Sequence, residues 1–176
     1  MEALQLLGLK HSGKSTVGRM WAHRHGWEFL DLDTLLETES GDGRTSRQIY
    51  REDGKDGFQR LEAEAARVAA KRLARGRVVL AWGGGTVTNP LAVESLAGKG
   101  TLVVLSDRVE VLYERILRGG RPAFLSAESP WEDFQKIYRE RTALLTALTP
   151  HLLTLGGCTV DQACDRLDQL WNARNH

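Results

Sequence analysis

The chain has 176 residues, enough for one domain with its own hydrophobic core and no covalent staples. Its 24 basic and 23 acidic residues nearly cancel, which excludes a strongly basic nucleic-acid-binding surface and an acidic disordered tail as whole-chain descriptions. Two cysteines, Cys158 and Cys164, make neither a disulfide framework nor a zinc set, and no stretch approaches a membrane-spanning length, so a cytoplasmic monomer without nucleic-acid or membrane partners is expected.

In chain order, Ala3–Leu7 reads as a buried strand followed by a glycine-rich loop and a helix from about Ser15 to His25, closed by Gly26. Trp27 to Leu30 is a short second strand that ends in Asp31-Leu32-Asp33. Phe58, Leu61, Ala65, Val68, Ala69 and Leu73 recur at helical spacing and predict a long helix from about Gly57 to Arg75. Val78 to Trp82 is a third strand that breaks into Gly83-Gly84-Gly85. Asn89 followed by Pro90 is a cap and first turn. Thr101 to Leu105 is a fourth strand, and Asp107 with Glu110 has the pattern of a capping box for the next helix. Pro130 to about Ala147 is helical, Leu152 to Leu155 is a fifth strand, and Thr159 with Gln162 caps a last helix. Strands alternating with helices require crossover connections, hence an α/β fold with a parallel sheet and helices on both faces. With no internal repeat and no linker, residues 1–176 form a single domain.

Residues Gly8 to Ser15 spell G-x-x-x-x-G-K-S between an apolar strand and an amphipathic helix, the context a phosphate-binding loop requires. Glycines let backbone N–H groups turn toward phosphate oxygens, and the following helix offers its unpaired amides and positive end to the same anion. Ser12, Gly13, Lys14, Ser15 and Thr16 therefore form the expected nucleotide set. Lys14 reaches the terminal phosphates and Ser15 is placed to ligate Mg²⁺. No guanine-reading N-K-x-D signature is present, so ATP is the expected nucleotide. Asp31 and Asp33, alternate residues of an extended chain, point the same way at the rim where open parallel sheets bind ligands. Alone they read as a solvated turn and helix cap. Beside a phosphate loop they supply one carboxylate for a metal and one for the attacking hydroxyl.

Taken together, the sequence resembles the shikimate kinase family over almost its whole length. GLKHSGKSTVGR, FLDLD, DGxxGF, AWGGGTVTNP and GGRPAFL occur in the family's order and at its approximate spacing. The resemblance implies a P-loop NTPase-like, five-stranded parallel sheet flanked by helices, with a mobile lid at about 118–128 and a substrate-binding helical region at about 34–62. It implies transfer of the γ-phosphoryl of ATP, with Mg²⁺, onto the 3-hydroxyl of shikimate in chorismate and aromatic amino acid biosynthesis. Carried over by position, Ser15 and Asp31 surround the magnesium, Asp33 holds the acceptor hydroxyls and serves as base, and Lys14 and Arg121 act on the phosphates. Gly83, Gly84 and Gly85 line the substrate, with the Gly84 N–H at a range where a Cβ would obstruct. Arg141 takes the substrate carboxylate, and Tyr50 and Phe58 line the substrate region.

The sequence departs from the family pattern at Gln59, where F-R-x-x-E becomes Phe58-Gln59-Arg60-Leu61-Glu62. An amide lacks the guanidinium's charge and bidentate fork. A second departure is Thr142-Ala143-Leu144-Leu145 after Arg141, in place of R-x-P-x-Y, and a third is the large ring of Trp82 before the glycines, expected to pack between sheet and helix. Two further readings stay open from sequence: a related small-molecule kinase with a different acceptor alcohol, and a non-catalytic nucleotide-binding regulatory homologue.

Overall fold

The structure, a computed structural model, describes residues 2–122 and 124–174. Ala123, inside the expected lid, lies outside the described residues.

Five parallel strands form one sheet in the order β2-β3-β1-β4-β5: β1 (Ala3–Leu7), β2 (Glu28–Asp31), β3 (Val78–Ala81), β4 (Thr101–Ser106) and β5 (Leu152–Thr154). The central strand is buried throughout because both faces are covered, as a run apolar at every position but Gln5 predicts. Alternation along the strands divides the core in two. Leu4, Leu6, Val79 and Val103 pack under α1 (Lys14–His25) and α7 (Val160–Arg174). Ala3, Leu7, Leu80 and Val104 pack under α3 (Ser46–Leu73), α4 (Pro90–Leu96), α5 (Val109–Arg118) and α6 (Pro130–Leu148). One polar residue breaks this pattern: the fully buried Gln5 accepts from Trp82 Nε1 at 2.8 Å and donates to the carbonyls of Leu96 and Lys99 at 3.0 and 3.2 Å. Trp82 thus sits in the core, as expected, and the residue also borders the cleft described below.

Several local expectations are met. Asn89 caps α4 with Pro90 in the first turn. Thr159 and Gln162 exchange side-chain to backbone bonds at 3.2 and 3.0 Å in front of α7.

Three local expectations need correction. The chain does not remain extended through Asp33: Asp31 ends β2 and its carboxylate accepts from the N–H groups of Asp33 and Thr34, which starts α2 (Leu32–Ser40) at once. Asp33 therefore stands in a first helical turn. The long helix begins at Ser46 rather than Gly57, behind a Thr45–Gln48 capping box, and is kinked at Gly54, whose φ of 70° and ψ of −173° only glycine adopts without strain. Asp107 makes no capping box with Glu110. It is 2% exposed, and Arg115 Nη2 claims its carboxylate at 3.1 Å, so α5 starts from Arg108 without a side-chain cap.

Candidate active site

All five strands point their carboxyl ends at one cleft of about 740 Å³, the position at which open α/β sheets bind ligands. The loop after β1 and the start of α1 supply Lys10, Gly13, Lys14, Ser15 and Thr16. Asp31 follows from β2, Asp33 from α2, Trp82 and Gly84 from the turn after β3, Arg115, Arg118 and Gly119 from the end of α5, and Cys158 and Thr159 from the turn after β5.

Lys14 is only 6% exposed. Its ammonium donates to the carbonyl of Leu9 at 2.7 Å and approaches Ser12 Oγ at 3.5 Å, so the loop is wrapped around its own cation. Burial, only partly offset by Asp33 and Asp31, lowers its pKa to about 8. Ser12 itself is fully buried under the loop. Gly13 takes the N-cap position of α1 with no side-chain cap, which leaves the helix's first amides facing the cleft. Ser15 Oγ donates to Asp31 Oδ2 at 2.5 Å, pairing a hydroxyl and a carboxylate oxygen at the mouth of the site.

Asp33 faces the triple-glycine turn. A Cβ on Gly83 would lie 2.7 Å from Asp33 Oδ1 and 2.9 Å from Thr86 Oγ1, so the turn approaches this carboxylate as closely as glycine permits. Burial pushes Asp33 up to about 6, with the charge of Asp31 adding to the effect and Lys14 opposing it. Glu62, 2% exposed, ties the turn to α3: Thr86 Oγ1 donates to it at 2.5 Å and Asn89 Nδ2 at 2.8 Å. Its pKa is raised by burial in spite of these donors. Neither Thr86 nor Asn89 was assigned to the site from sequence. The available signal was Glu62 itself, an acid on the same helix face as Ala66 and Ala69.

Arg141, on α6, donates from Nη1 to the Gly84 carbonyl at 2.9 Å and has Gly85 beside its guanidinium. Burial lowers its pKa, while Tyr50 and Glu62 support the charge. Tyr50 and Phe58 meet edge to face at 5.6 Å across the Gly54 kink. Gln59 does not hang free: its side-chain amide donates to the Thr88 carbonyl at 3.1 Å, and its main-chain carbonyl accepts from Asn89 Nδ2 at 2.8 Å. Of the expected residues, Ser12, Gly83, Gly85 and Arg141 stand behind the cleft lining rather than in it, and Arg121 is turned to its own segment. Its Nη1 donates to the Leu125 carbonyl at 2.7 Å, within its own segment. Arg115 is in the cleft wall, braced by Asp107 and by a 3.4 Å bond to the His11 carbonyl.

The arrangement places a glycine-rich loop, a buried ammonium, a hydroxyl–carboxylate pair and a second, buried carboxylate of raised pKa around one space. Those are the parts that phosphoryl transfer to an alcohol requires.

Comparison with known proteins agrees with this chemistry. A family model described as shikimate kinase matches residues 10–170. A shikimate kinase of Nitratidesulfovibrio vulgaris is 37% identical over 152 residues, covering 84% of this chain and 83% of its own. One of Thermus thermophilus is 31% identical over 168 residues, covering 94% of this chain and 88% of its own. Among solved structures, a shikimate kinase from Acinetobacter baumannii in complex with shikimate superposes with a TM-score of 0.88 at 27% identity, over 99% of this chain and 94% of that one.

Proposed function

The chain belongs to the shikimate kinase family, and we propose that it transfers the terminal phosphoryl group of ATP to the 3-hydroxyl of shikimate, a step toward chorismate and aromatic compounds. The observation that carries this reading is the position of Asp33, which lines the same cleft as Lys14 and Ser15 and lies against the glycine turn that would hold the acceptor.

The donor set fits a divalent ion. Ser15 Oγ and Asp31 Oδ2 are hard oxygens 2.5 Å apart, and a hydroxyl plus one carboxylate suits Mg²⁺, which keeps waters and takes phosphate oxygens in preference to a full protein cage. When bound there, Mg²⁺ would offset charge on the terminal phosphates. The chain's own residues do the rest. The Lys14 ammonium and the first amides of α1 hold the phosphates, and burial of the ammonium makes its contact stronger than one in water. Asp33, with its pKa near 6, is ionised at neutral pH yet basic enough to take the acceptor's hydroxyl proton as the new O–P bond forms. Arg141 and the Gly84 turn orient the acid, and Arg115 walls the nucleotide. Residues at about 34–62 serve as the acceptor region. Those at about 118–128 serve as the lid, whose closure exchanges the Arg121–Leu125 bond for a contact with phosphate and excludes water. The protein acts as a cytoplasmic monomer with no nucleic-acid partner; among the described residues no helix is long and apolar enough to cross a membrane.

With Gln59 engaged at Thr88, Arg141 is the guanidinium left for the acceptor's carboxylate, which also suits a related hydroxy acid that needs a lighter grip. ADP release with ATP and Mg²⁺ separates the two, measured against shikimate and then a panel of polyol and sugar acids. Turnover with shikimate at millimolar concentration or below is expected. Turnover only with another acid moves the assignment to that acceptor, and tight ATP binding without turnover removes the kinase activity altogether.

A further inference from the structure

Lys10 has no part in the mechanism above. It follows Leu9 in the phosphate loop, its side chain is exposed in the cleft wall, and among the described residues no hydrogen bond or ion pair engages its ammonium. Three other cationic groups of the site are held, Lys14 by Leu9, Arg115 by Asp107 and Arg141 by Gly84, whereas Arg118, at the end of α5, shares with Lys10 the lack of a bonded partner among the described residues.

Its place in the fold is specific. The acceptor turn rests directly on it, since a Cβ on Gly84 would lie 2.7 Å from the Lys10 nitrogen, 3.0 Å from its Cα and 3.1 Å from its Cβ. The side chain therefore leaves the backbone at the junction between the loop that wraps phosphate and the turn that holds the acceptor. Its charge is felt on both sides: it opposes protonation of Asp33 and of Lys14. An exposed cation set between a carboxylate and a buried ammonium draws in further negative charge, which relieves its repulsion from the ammonium. The anion this junction admits is the group in transit. The acceptor's carboxylate is assigned above to Arg141, which approaches Gly84 and Gly85 from α6.

We infer that the Lys10 ammonium contacts the terminal phosphate of the bound triphosphate and stabilises the charge that spreads over its oxygens during transfer. It does so from within the phosphate loop, before any contribution from Arg121. The inference rests on the kinase reading for its catalytic half, whereas its binding half needs only the nucleotide.

The test uses the full chain with Lys10→Met and Lys10→Arg. Calorimetry gives the affinities for ADP and for the β,γ-methylene analogue of ATP, and steady-state assays give kcat and the KM for shikimate. A charge-assisted contact confined to the third phosphate predicts a loss of about tenfold or more for the triphosphate analogue in Lys10→Met, with ADP affinity unchanged. It also predicts a fall in kcat without a rise in the KM for shikimate, and recovery of both losses in Lys10→Arg. Equal loss for both nucleotides, no loss for either, or a change confined to the KM for shikimate overturns it. Should the unaltered protein fail to phosphorylate shikimate while Lys10→Met still loses only triphosphate affinity, the acceptor assignment fails and the Lys10 contact stands.

Discussion

Arg141 Nη1 donates to the carbonyl of Gly84 at 2.9 Å, while the α-carbon of Gly84 sits so close to Lys10 that a side chain there would strike the loop backbone. One peptide thus joins α6, the glycine turn and the phosphate loop. The acceptor side of the site and the nucleotide side have no independent position.

Gly84→Ala tests that junction. The new Cβ, 2.7 Å from the Lys10 nitrogen, has to push backbone against backbone. A displacement approaching 1 Å at reacting groups costs on the order of 10²-fold in rate. Loss of kcat/KM of about that size is expected, together with weaker ADP binding, although Gly84 lies on the acceptor side. Unchanged ADP affinity would show that the two halves move separately.

Gln59→Arg bears on the departure at the acceptor's carboxylate. Gln59 lies one helical turn before Glu62, whose charge is felt at Arg141, so a guanidinium at this position adds a charged donor beside the existing one. A charge-assisted bond gained at the acceptor's carboxylate lowers the KM for shikimate by about tenfold. An unchanged KM would mean that position 59 serves only to hold the Thr88 carbonyl.

Asp33 ties stability to pH. Its pKa is raised from 3.8 to about 6, so between those values the folded protein keeps a proton that the unfolded chain has released. Stability therefore falls as pH rises through this window, and the full penalty applies above it. Asp33→Asn is expected to be more stable than the unaltered protein by about 1–3 kcal/mol at pH 8, an advantage that disappears near pH 4. Urea unfolding at the two pH values measures it. In the unaltered protein, kcat/KM for shikimate falls below pH 6 as the carboxylate takes up its proton.

Lys14 gives the opposite proton linkage on ligand binding. Burial holds it near 8, so at pH 8.5 much of the population is neutral. A triphosphate beside it restores the ammonium. Calorimetric titration with ATP in two buffers of different ionisation enthalpy should show net proton uptake at pH 8.5 and little at pH 6.5. Equal uptake at both pH values would place the phosphates away from Lys14.

The parts of this site built from contiguous residues were legible in the sequence. The strand–loop–helix context of Gly8 to Ser15, the Asn89-Pro90 cap and the Thr159–Gln162 cap each follow from local chemistry, and each forms as read. What escaped was decided by groups distant in the chain. Asp107 left its expected capping role because Arg115 competes for the same carboxylate. The region between Ser46 and Phe58 folds as helix around the Gly54 kink, braced by Arg44 on Asp53 at 2.8 Å, a pairing that no periodicity announces. Asp33 reached the site from a helix, because the bonding capacity of Asp31 turned the chain one residue earlier than an extended pair allows. Gln59 was visible as a departure, but its commitment to Thr88 was not.

The most direct measurement is a single-turnover experiment comparing the unaltered protein with Asp33→Asn, each loaded with ATP and Mg²⁺ and mixed with shikimate. Phosphorus NMR of the quenched product gives the position and amount of phosphate transferred. The expected result is one equivalent of shikimate 3-phosphate per ADP from the unaltered protein. Asp33→Asn should transfer slower by about 10²–10⁴-fold, with its affinity for ATP no weaker. Transfer by Asp33→Asn at close to the unaltered rate, or phosphate at a different hydroxyl, would contradict the role given to this carboxylate.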